Sequence, residues 1–401
     1  MGDFDEIDSE RLYRDVLELQ GVKHPVVSPD ALNACADRIA RDMAKAGLRV
    51  REQRFRVDGF DLEFRNIEGS LGSVDTEASA VLVAHYDTVA TTMGANDDAS
   101  GIAAMLEIAR VLAALPSPPP VYFVAVSLEE GNPSIWAAER KHARALGLVD
   151  DNNNYLNWSD GKAADKAKAA AQAAFSGGLA YGEAWRKILA EEAKDLTPAL
   201  RALFEAMLPF YEGVTTATAP GYLSRIGSHQ WIRSALAEGR RIAFNITLDE
   251  IGTCRHEEGS QGKLGGIDLY PLFTDSHRVD RERRIADFLL VLADANSGAV
   301  GKALMAKARS PGIDLPAAFV HTPMNFQELA KAVPMALNSD HANFWKEGIP
   351  SIFLFDSSTG RNHFCHSMAD DARAVDFDHV RGIARAVASL IADRGNWPDR
   401  S

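Results

Sequence analysis

Cysteine is scarce. The three in this 401-residue chain, Cys35, Cys254 and Cys365, are too few and too scattered for a disulfide framework. Long hydrophobic runs are missing as well, since no stretch approaches the roughly 18 apolar residues of a membrane span. Nor is there a basic excess. Lys and Arg number 43 against 56 Asp and Glu, for a net charge of −13. RERR and RGIAR read as helix faces rather than nucleic-acid patches. The opening residues, MGDFDEIDSERLYRD, are acidic and polar, unlike a secretory signal. These absences argue against a disulfide-stapled, membrane-spanning or nucleic-acid-binding chain and make the cytoplasm the expected compartment. What remains is ordinary globular composition, 46% hydrophobic and 25% charged. The length suits two or three domains, or one large domain carrying an insertion.

The pattern favours the second. Apolar positions at helical spacing mark a helix over 30–48, ending at Gly47. Residues 49–72 alternate like two strands around Asp58-Gly59, a hairpin signal. A buried strand at 81–87, a helix over 99–114 closed by PSPPP, and a second buried strand at 121–128 form a strand–helix–strand unit of a parallel sheet. The rhythm then breaks: residues 131–226 are Ala-rich and helical. Alternation resumes with a helix at 228–238 and a strand at 241–248. Helices at 282–296, 340–347 and 378–393 and a strand at 351–355 complete the chain. The expected architecture is a single α/β domain over 1–401, its mixed, mostly parallel sheet sandwiched by helices, with a helical insertion at 131–226.

In open α/β sheets, ligands gather at the carboxyl ends of strands. The first strand, VLVAHYD, ends on His85 and Asp87, which lie two residues apart and so project from the same face. One such end is as readily a polar strand end meeting solvent as a metal ligand with its orienting carboxylate. The others agree with it, however. The loop after the first strand, GANDDASG, holds Asp97 and Asp98, and the second strand ends in Glu129-Glu130. The third ends in Asp249-Glu250, and the fourth runs into Asp356 and then NHFCHSMADD. So many carboxylates at one edge repel one another unless cations neutralise them. Two His with three or four carboxylates suit a two-metal site for borderline-hard ions such as Zn²⁺.

In order, HYD, GANDDASG, EE, NITLDEIG and CHSMADD resemble the motifs of the co-catalytic di-zinc aminopeptidases, a clan that also holds glutamate carboxypeptidase-like enzymes and glutaminyl cyclases. SDHANFWKEGIP and GSHQW resemble further segments of that family. The likeness runs over about 30–130 and 227–395. It implies that His85 and Asp249 hold one zinc, Glu130 and His366 the other, and that Asp97 bridges them. It also implies that Glu129 is the general base toward the bridging water, that Asp87 orients His85, and that the Asp97–Asp98 peptide is cis. Asp98 is the alternative bridge, although it also suits the start of the following helix. His363 competes with His366, but only His366 has Asp370 at the family's four-residue offset.

Three positions bear on the substrate. Cys365 stands where family members often place a Tyr that stabilises the oxyanion, and a thiol is a poorer donor. Glu250 offers a carboxylate to a substrate amine or to a neighbouring Arg. His341 is either near the reacting groups or holds the start of its helix. The resemblance implies a hydrolase with two zinc ions per chain that cleaves a small peptide or aminoacyl amide, most simply an aminopeptidase. An amidohydrolase or carboxypeptidase acting on a specialised metabolite is the second reading, and a single-zinc glutaminyl cyclase the third. The insertion leaves the chain just after Glu130. Its amphipathic helices therefore suggest a lid, a homo-oligomer interface with a dimer favoured, or both.

Overall fold

A computed structural model describes residues 4–191 and 195–397. Its nine strands are β1 (Arg49–Arg56), β2 (Glu63–Leu71), β3 (Ser79–His85), β4 (Val121–Val126), β5 (Ile242–Leu248), β6 (Asp275–His277), β7 (Leu289–Ala293), β8 (Ala317–His321) and β9 (Ser351–Phe355). They form one sheet in the order β1-β2-β4-β3-β5-β9-β7-β8-β6.

The pairings β4–β3, β3–β5, β5–β9 and β7–β8 are parallel, whereas β1–β2, β2–β4, β7–β9 and β6–β8 are antiparallel. The mixed sheet is as expected, but its parallel share is half rather than most. The parallel run β4-β3-β5-β9 occupies the centre; β2 and β1 flank it antiparallel on one side, and on the other the parallel pair β7–β8 lies between antiparallel neighbours β9 and β6. The hairpin around Asp58-Gly59 joins β1 to β2, with Gly59 at φ +78° and Phe55 opposite Phe64.

Alternation along the central strands explains why both faces are covered. Leu82 and Ala84, Phe123 and Ala125, and Phe244 and Ile246 pack on one side, in a core shared with the helices Ser100–Ala113 and Phe377–Ala392. Val81 and Val83, with Tyr122, Val124 and Val126, pack on the other side against Trp231, Ile232 and Phe344. A strand apolar at every position is what two covered faces require. Because β4, β3, β5 and β9 run parallel, Glu129, His85, Asp249 and Asp356 all follow or end their strands at one edge.

One expected element is wrong in type. Residues 282–296 do not form a helix; Leu289–Ala293 is strand β7, and the helix comes later, at Gly298–Ala308. The apolar run FLLVLA is six residues long, too short for periodicity to separate a buried strand from a buried helix. Helices Ser9–Leu19 and Phe326–Ala332 and strands β6 and β8 join the elements anticipated from the sequence.

Between β4 and the helix Ile226–Ala237 lie four helices, Pro133–Ala145, Trp158–Ser176, Tyr181–Glu191 and Pro198–Tyr211. Residues 192–194, within the expected insertion, lie outside the described residues. The side chains of Asn132, Asn157 and Thr197 cap three of these helices, two of which have Pro in their first turn. They build their own core from Trp185, Ile188, Leu200, Leu203, Phe204 and Met207, separate from the core of the sheet. The segment returns where it left: Arg225 N–H donates to the Glu129 carbonyl at 2.8 Å, and Ile226 N–H to that of Leu128 at 2.9 Å. A Cβ at Gly227 would stand 2.1 Å from the Ser127 carbonyl oxygen, so only glycine permits this close return.

Candidate metal centre

Asp97 lies in the loop between β3 and the helix Ser100–Ala113, and its carboxylate faces two imidazoles. Asp97 Oδ1 is 3.0 Å from His85 Nε2, and Oδ2 is 3.2 Å from His366 Nε2. His85 Nε2 is also 3.5 Å from Asp249 Oδ1, and His366 Nε2 is 3.2 Å from Glu130 Oε2. One set is therefore His85, Asp97 and Asp249; the other is His366, Asp97 and Glu130, with Asp97 common to both.

The donor set fits a metal pair. His85 Nε2 is buried and makes no hydrogen bond of acceptable geometry, despite an oxygen at 3.0 Å. Such spacing without alignment is that of groups directed at a common point, as ligands around an ion are. Imidazole and carboxylate are the donors that suit Zn²⁺.

Each arm is held from behind. The Asp370 carboxylate accepts from the backbone N–H groups of Asn96 and Asp97 at 3.0 and 3.2 Å. The Asn96 side chain donates to Asp356 at 2.8 Å and accepts from Gly252 N–H at 2.6 Å, tying the loop to the segments after β9 and β5. Ser339 Oγ donates to Asp249 Oδ2 at 2.7 Å, and Val89 N–H to Glu130 Oε1 at 3.3 Å. The Asp97–Asp98 peptide is cis, as the resemblance implied. Asp98 turns away from the pair: its carboxylate accepts from Gly101 N–H at 3.0 Å, at the start of the helix, and from His85 N–H at 3.2 Å.

Asp87 orients His85 differently than expected. His85 Nδ1 contacts the Asp87 carbonyl oxygen at 3.2 Å, while the Asp87 carboxylate is 3.7 Å away. That carboxylate instead accepts from the N–H groups of Glu129 and Glu130, at 3.1 and 3.2 Å. It thereby sets the backbone on which one Glu turns to His366 and the other does not.

Burial dominates the electrostatics. It pushes the Glu129 carboxyl well up, with Asp249, Asp340 and Glu130 adding to the rise and His85 opposing it. It does the same to Glu250, helped by Asp97, Asp356 and Asp249. Burial also works against ionisation of Asp97, but the His366 and His85 imidazoles beside it prevail and hold its pKa below the ordinary range. Glu130 pushes the His366 imidazole up to about 12. This edge demands positive charge.

The substrate candidates divide. Glu250 is buried, with a backbone φ of +52°, and takes a 3.4 Å hydrogen bond from Asn362. Among the described residues no Arg lies within ion-pair distance of it. A Cys365 ligand atom lies within 4.8 Å of those of Asp97 and His366, and burial pushes its thiol up. His341 is fully buried, stacked on Phe353 at 4.4 Å, and paired through Nε2 with the Ala336 carbonyl at 2.8 Å. This setting buries His341 among aromatic rings and ties it to the turn before its helix. His363 is exposed and outside both sets. The supporting Asn96 and Ser339 were not singled out from the sequence. Their only signal there is adjacency to the motifs GANDDASG and SDH.

Residues 66–171, which include His85, Asp97, Glu129 and Glu130, match the model described as Peptidase family M28. The aminopeptidase YwaD of Bacillus subtilis (strain 168) is 49% identical over 49 residues, covering 12% of this chain and 11% of that protein. The chain thus spans about a tenth of the length of this curated relative. The LapA aminopeptidase of Legionella pneumophila superposes with a TM-score of 0.56 at 12% identity, over 97% of this chain and 72% of that one. A glutaminyl cyclase of Porphyromonas gingivalis gives 0.54 at 16% identity, over 97% and 99%. A Zn-dependent exopeptidase of Parabacteroides distasonis gives 0.53 at 17% identity, over 97% and 99%. The family match bears out the resemblance to the zinc aminopeptidase clan. At such identities the structural likeness speaks for the fold alone. No helix among the described residues is long and apolar enough to cross a membrane.

Removing the Asp370 carboxylate frees the loop backbone that carries Asp97. Asp370→Ala is expected to weaken zinc binding about 10–100-fold, the usual effect of losing an outer-shell partner. Competition with a chromogenic chelator measures this, and an unchanged affinity would strip Asp370 of the role.

Proposed function

We propose that this chain, with its Peptidase family M28 segment on an exopeptidase fold, is a zinc-dependent hydrolase of amide bonds in small peptides or aminoacyl compounds, most simply an aminopeptidase. The observation that carries the reading is the Asp97 carboxylate, whose two oxygens each face a separate histidine-containing set. His85, Asp97 and Asp249 would hold one zinc, and His366, Asp97 and Glu130 the other. Bound there, the pair would lower the pKa of a water and polarise the scissile carbonyl.

Glu129 is the chain's own contribution to the chemistry. It is buried beside the two sets and has no ion-pair partner among the described residues, leaving its carboxylate free to take a proton from water and return it to the leaving nitrogen. Asp87 keeps it in place by binding its N–H. Glu250 is the group we assign to the substrate amine. Its carboxylate is buried without a cation, as a site awaiting an ammonium would be. With Cys365 in the position often held by Tyr, polarisation of the carbonyl rests on the metal pair and on Asn362.

We further infer that the insertion, 131–226, is a lid. A cavity of about 320 Å³ lies between His24, Val89 and Thr91 on one side and Trp136, Arg140 and Lys168 of the insertion on the other. Val89 donates to Glu130 and Thr91 to the His366 carbonyl, so this wall adjoins the metal centre. Arg140 there favours, as second reading, a substrate bearing a carboxylate, Lys168 being paired with Glu139 of the same wall. Leu156 and Trp158, 67% and 73% exposed on the insertion, support its use in a homodimer contact. The cytoplasm remains the proposed compartment.

Metal analysis with a panel of aminoacyl, N-acyl and dipeptide substrates tests the reading. Two zinc ions at the Asp97 centre and amide hydrolysis are expected, whereas one zinc there with cyclisation of N-terminal glutamine would assign the cyclase class instead. Glu129→Gln should keep its metal and lose on the order of 10²–10⁴ in kcat; loss of metal would mean Glu129 and Glu130 exchange roles. Asp97→Ala should empty both positions, and one remaining fully occupied would remove Asp97 from the bridge. Replacing 140–222 by a short Gly/Ser linker should relax the preference for short substrates and lower the number of chains per particle in solution. If neither changes in the folded protein, the insertion is neither lid nor interface.

A further inference from the structure

Away from the Asp97 centre, a second group of soft and hard donors converges beneath the loop that follows β5. Cys254 Sγ lies 3.9 Å from His256 Nε2, and Asp376 Oδ2 lies 3.8 Å from the same nitrogen. All three ligand atoms fall within 4.8 Å of one another. On the far side of the ring, Asp287 Oδ2 is 3.9 Å from His256 Nδ1. We propose that Cys254, His256 and Asp376 form an additional binding site for a borderline divalent cation of the Zn²⁺ class, with Asp287 orienting the histidine.

The spacing carries the first part of the argument. Direct ion pairs and hydrogen bonds between nitrogen and oxygen close to about 2.7–3.0 Å, and those to sulfur run longer. Zinc ligand bonds of about 2.0–2.3 Å at tetrahedral angles instead put neighbouring donors roughly 3.4–3.6 Å apart. The Cys254–His256 and Asp376–His256 separations, 3.9 and 3.8 Å, stand slightly wider than that, at the outer limit of direct pairing. All three ligand atoms converge within 4.8 Å of one another.

Their backbones are fixed independently. Asp376 N–H donates to the Gly252 carbonyl at 2.8 Å, and Arg255 N–H to that of Ala286 at 2.9 Å. The first bond brings the N-cap of the helix Phe377–Ala392 to the loop, and the second brings Asp287. Asp376 uses Oδ1 to cap its helix through His379 N–H at 2.9 Å, which leaves Oδ2 for the site. Asp287 Oδ1 is buried without a hydrogen-bond partner. A carboxylate behind the non-ligating nitrogen is the usual way a metal-binding imidazole is oriented. Thiolate, imidazole and carboxylate together select Zn²⁺ or Co²⁺ over Mg²⁺ or Ca²⁺. With three protein donors and a His256 side chain 71% exposed, the fourth position faces water. The site would clip the loop leaving Asp249 to the last long helix.

The test loads the metal-stripped full chain with Co²⁺ and, separately, with Zn²⁺. Cobalt bound to a thiolate gives a near-ultraviolet charge-transfer band. That band is expected in the natural protein and in Cys365→Ser, and should be lost in Cys254→Ser. Zinc content should fall by one ion per chain in Cys254→Ser and in His256→Ala, the latter an exposed change that the fold tolerates. A band that persists in Cys254→Ser, or is lost only with Cys365, overturns the proposal. So does a zinc content equal to that of the natural protein in both Cys254→Ser and His256→Ala. Because the readout is the difference between variants, it is independent of whether the Asp97 centre hydrolyses amides.

Discussion

One carboxylate facing two imidazoles organises this molecule. Asp97 can present an oxygen to His85 and another to His366 only if its backbone is held rigidly, and the surrounding bonds do that. Asp370 grips the N–H groups of residues 96 and 97, and Asn96 ties the same loop to Asp356 and Gly252. These contacts reach the segments after β5 and β9 and the turn before the last long helix. A short loop thereby couples three distant parts of the chain. A buried polar network of this kind is favourable only when every member is satisfied, which accounts for the density of side-chain-to-backbone bonds here.

The same edge collects more negative charge than burial tolerates. Glu129, Glu250 and Asp98 are all pushed toward their neutral forms, largely by desolvation. A protein gains nothing in stability from such a cluster by itself, so the parallel strands β4, β3, β5 and β9 concentrate it for chemistry rather than for folding. The apolar alternation along those strands, covered on both faces, supplies the rigid floor on which the charges stand.

The helical segment that follows Glu130 is joined to this edge with little slack. Its outgoing and returning ends are hydrogen-bonded through the Glu129 and Leu128 carbonyls, and Gly227 allows the returning chain to lie against Ser127. Its core of Trp185, Phe204 and neighbours is otherwise its own. Motion of the helical unit would therefore be transmitted first to the backbone of Glu129, which Asp87 holds from the opposite side.

Much of this was legible from residue order. His85, Asp97, Glu129, Glu130, Asp249 and His366 all stand in motifs at or after strand ends, and the resemblance to the di-zinc aminopeptidases picks them out from their neighbours there. Long helices with caps and continuous apolar strands were also readable, since local periodicity dictates them. Other features depended on contacts remote in sequence. Leu289–Ala293 reads as helix by pattern but forms a strand, because a six-residue apolar run takes its form from its neighbours, here β8 and β9. The antiparallel half of the sheet followed from strand pairing that no local pattern encodes. The Asp87 carboxylate turned to the Glu129–Glu130 backbone, and His341 was enclosed by Phe353 and Trp345. Sequence by itself determined which donors reach the edge, because their identity is chemical. Only the tertiary structure decided which oxygen faces which nitrogen, because hydrogen-bond and packing geometry is set between segments hundreds of residues apart.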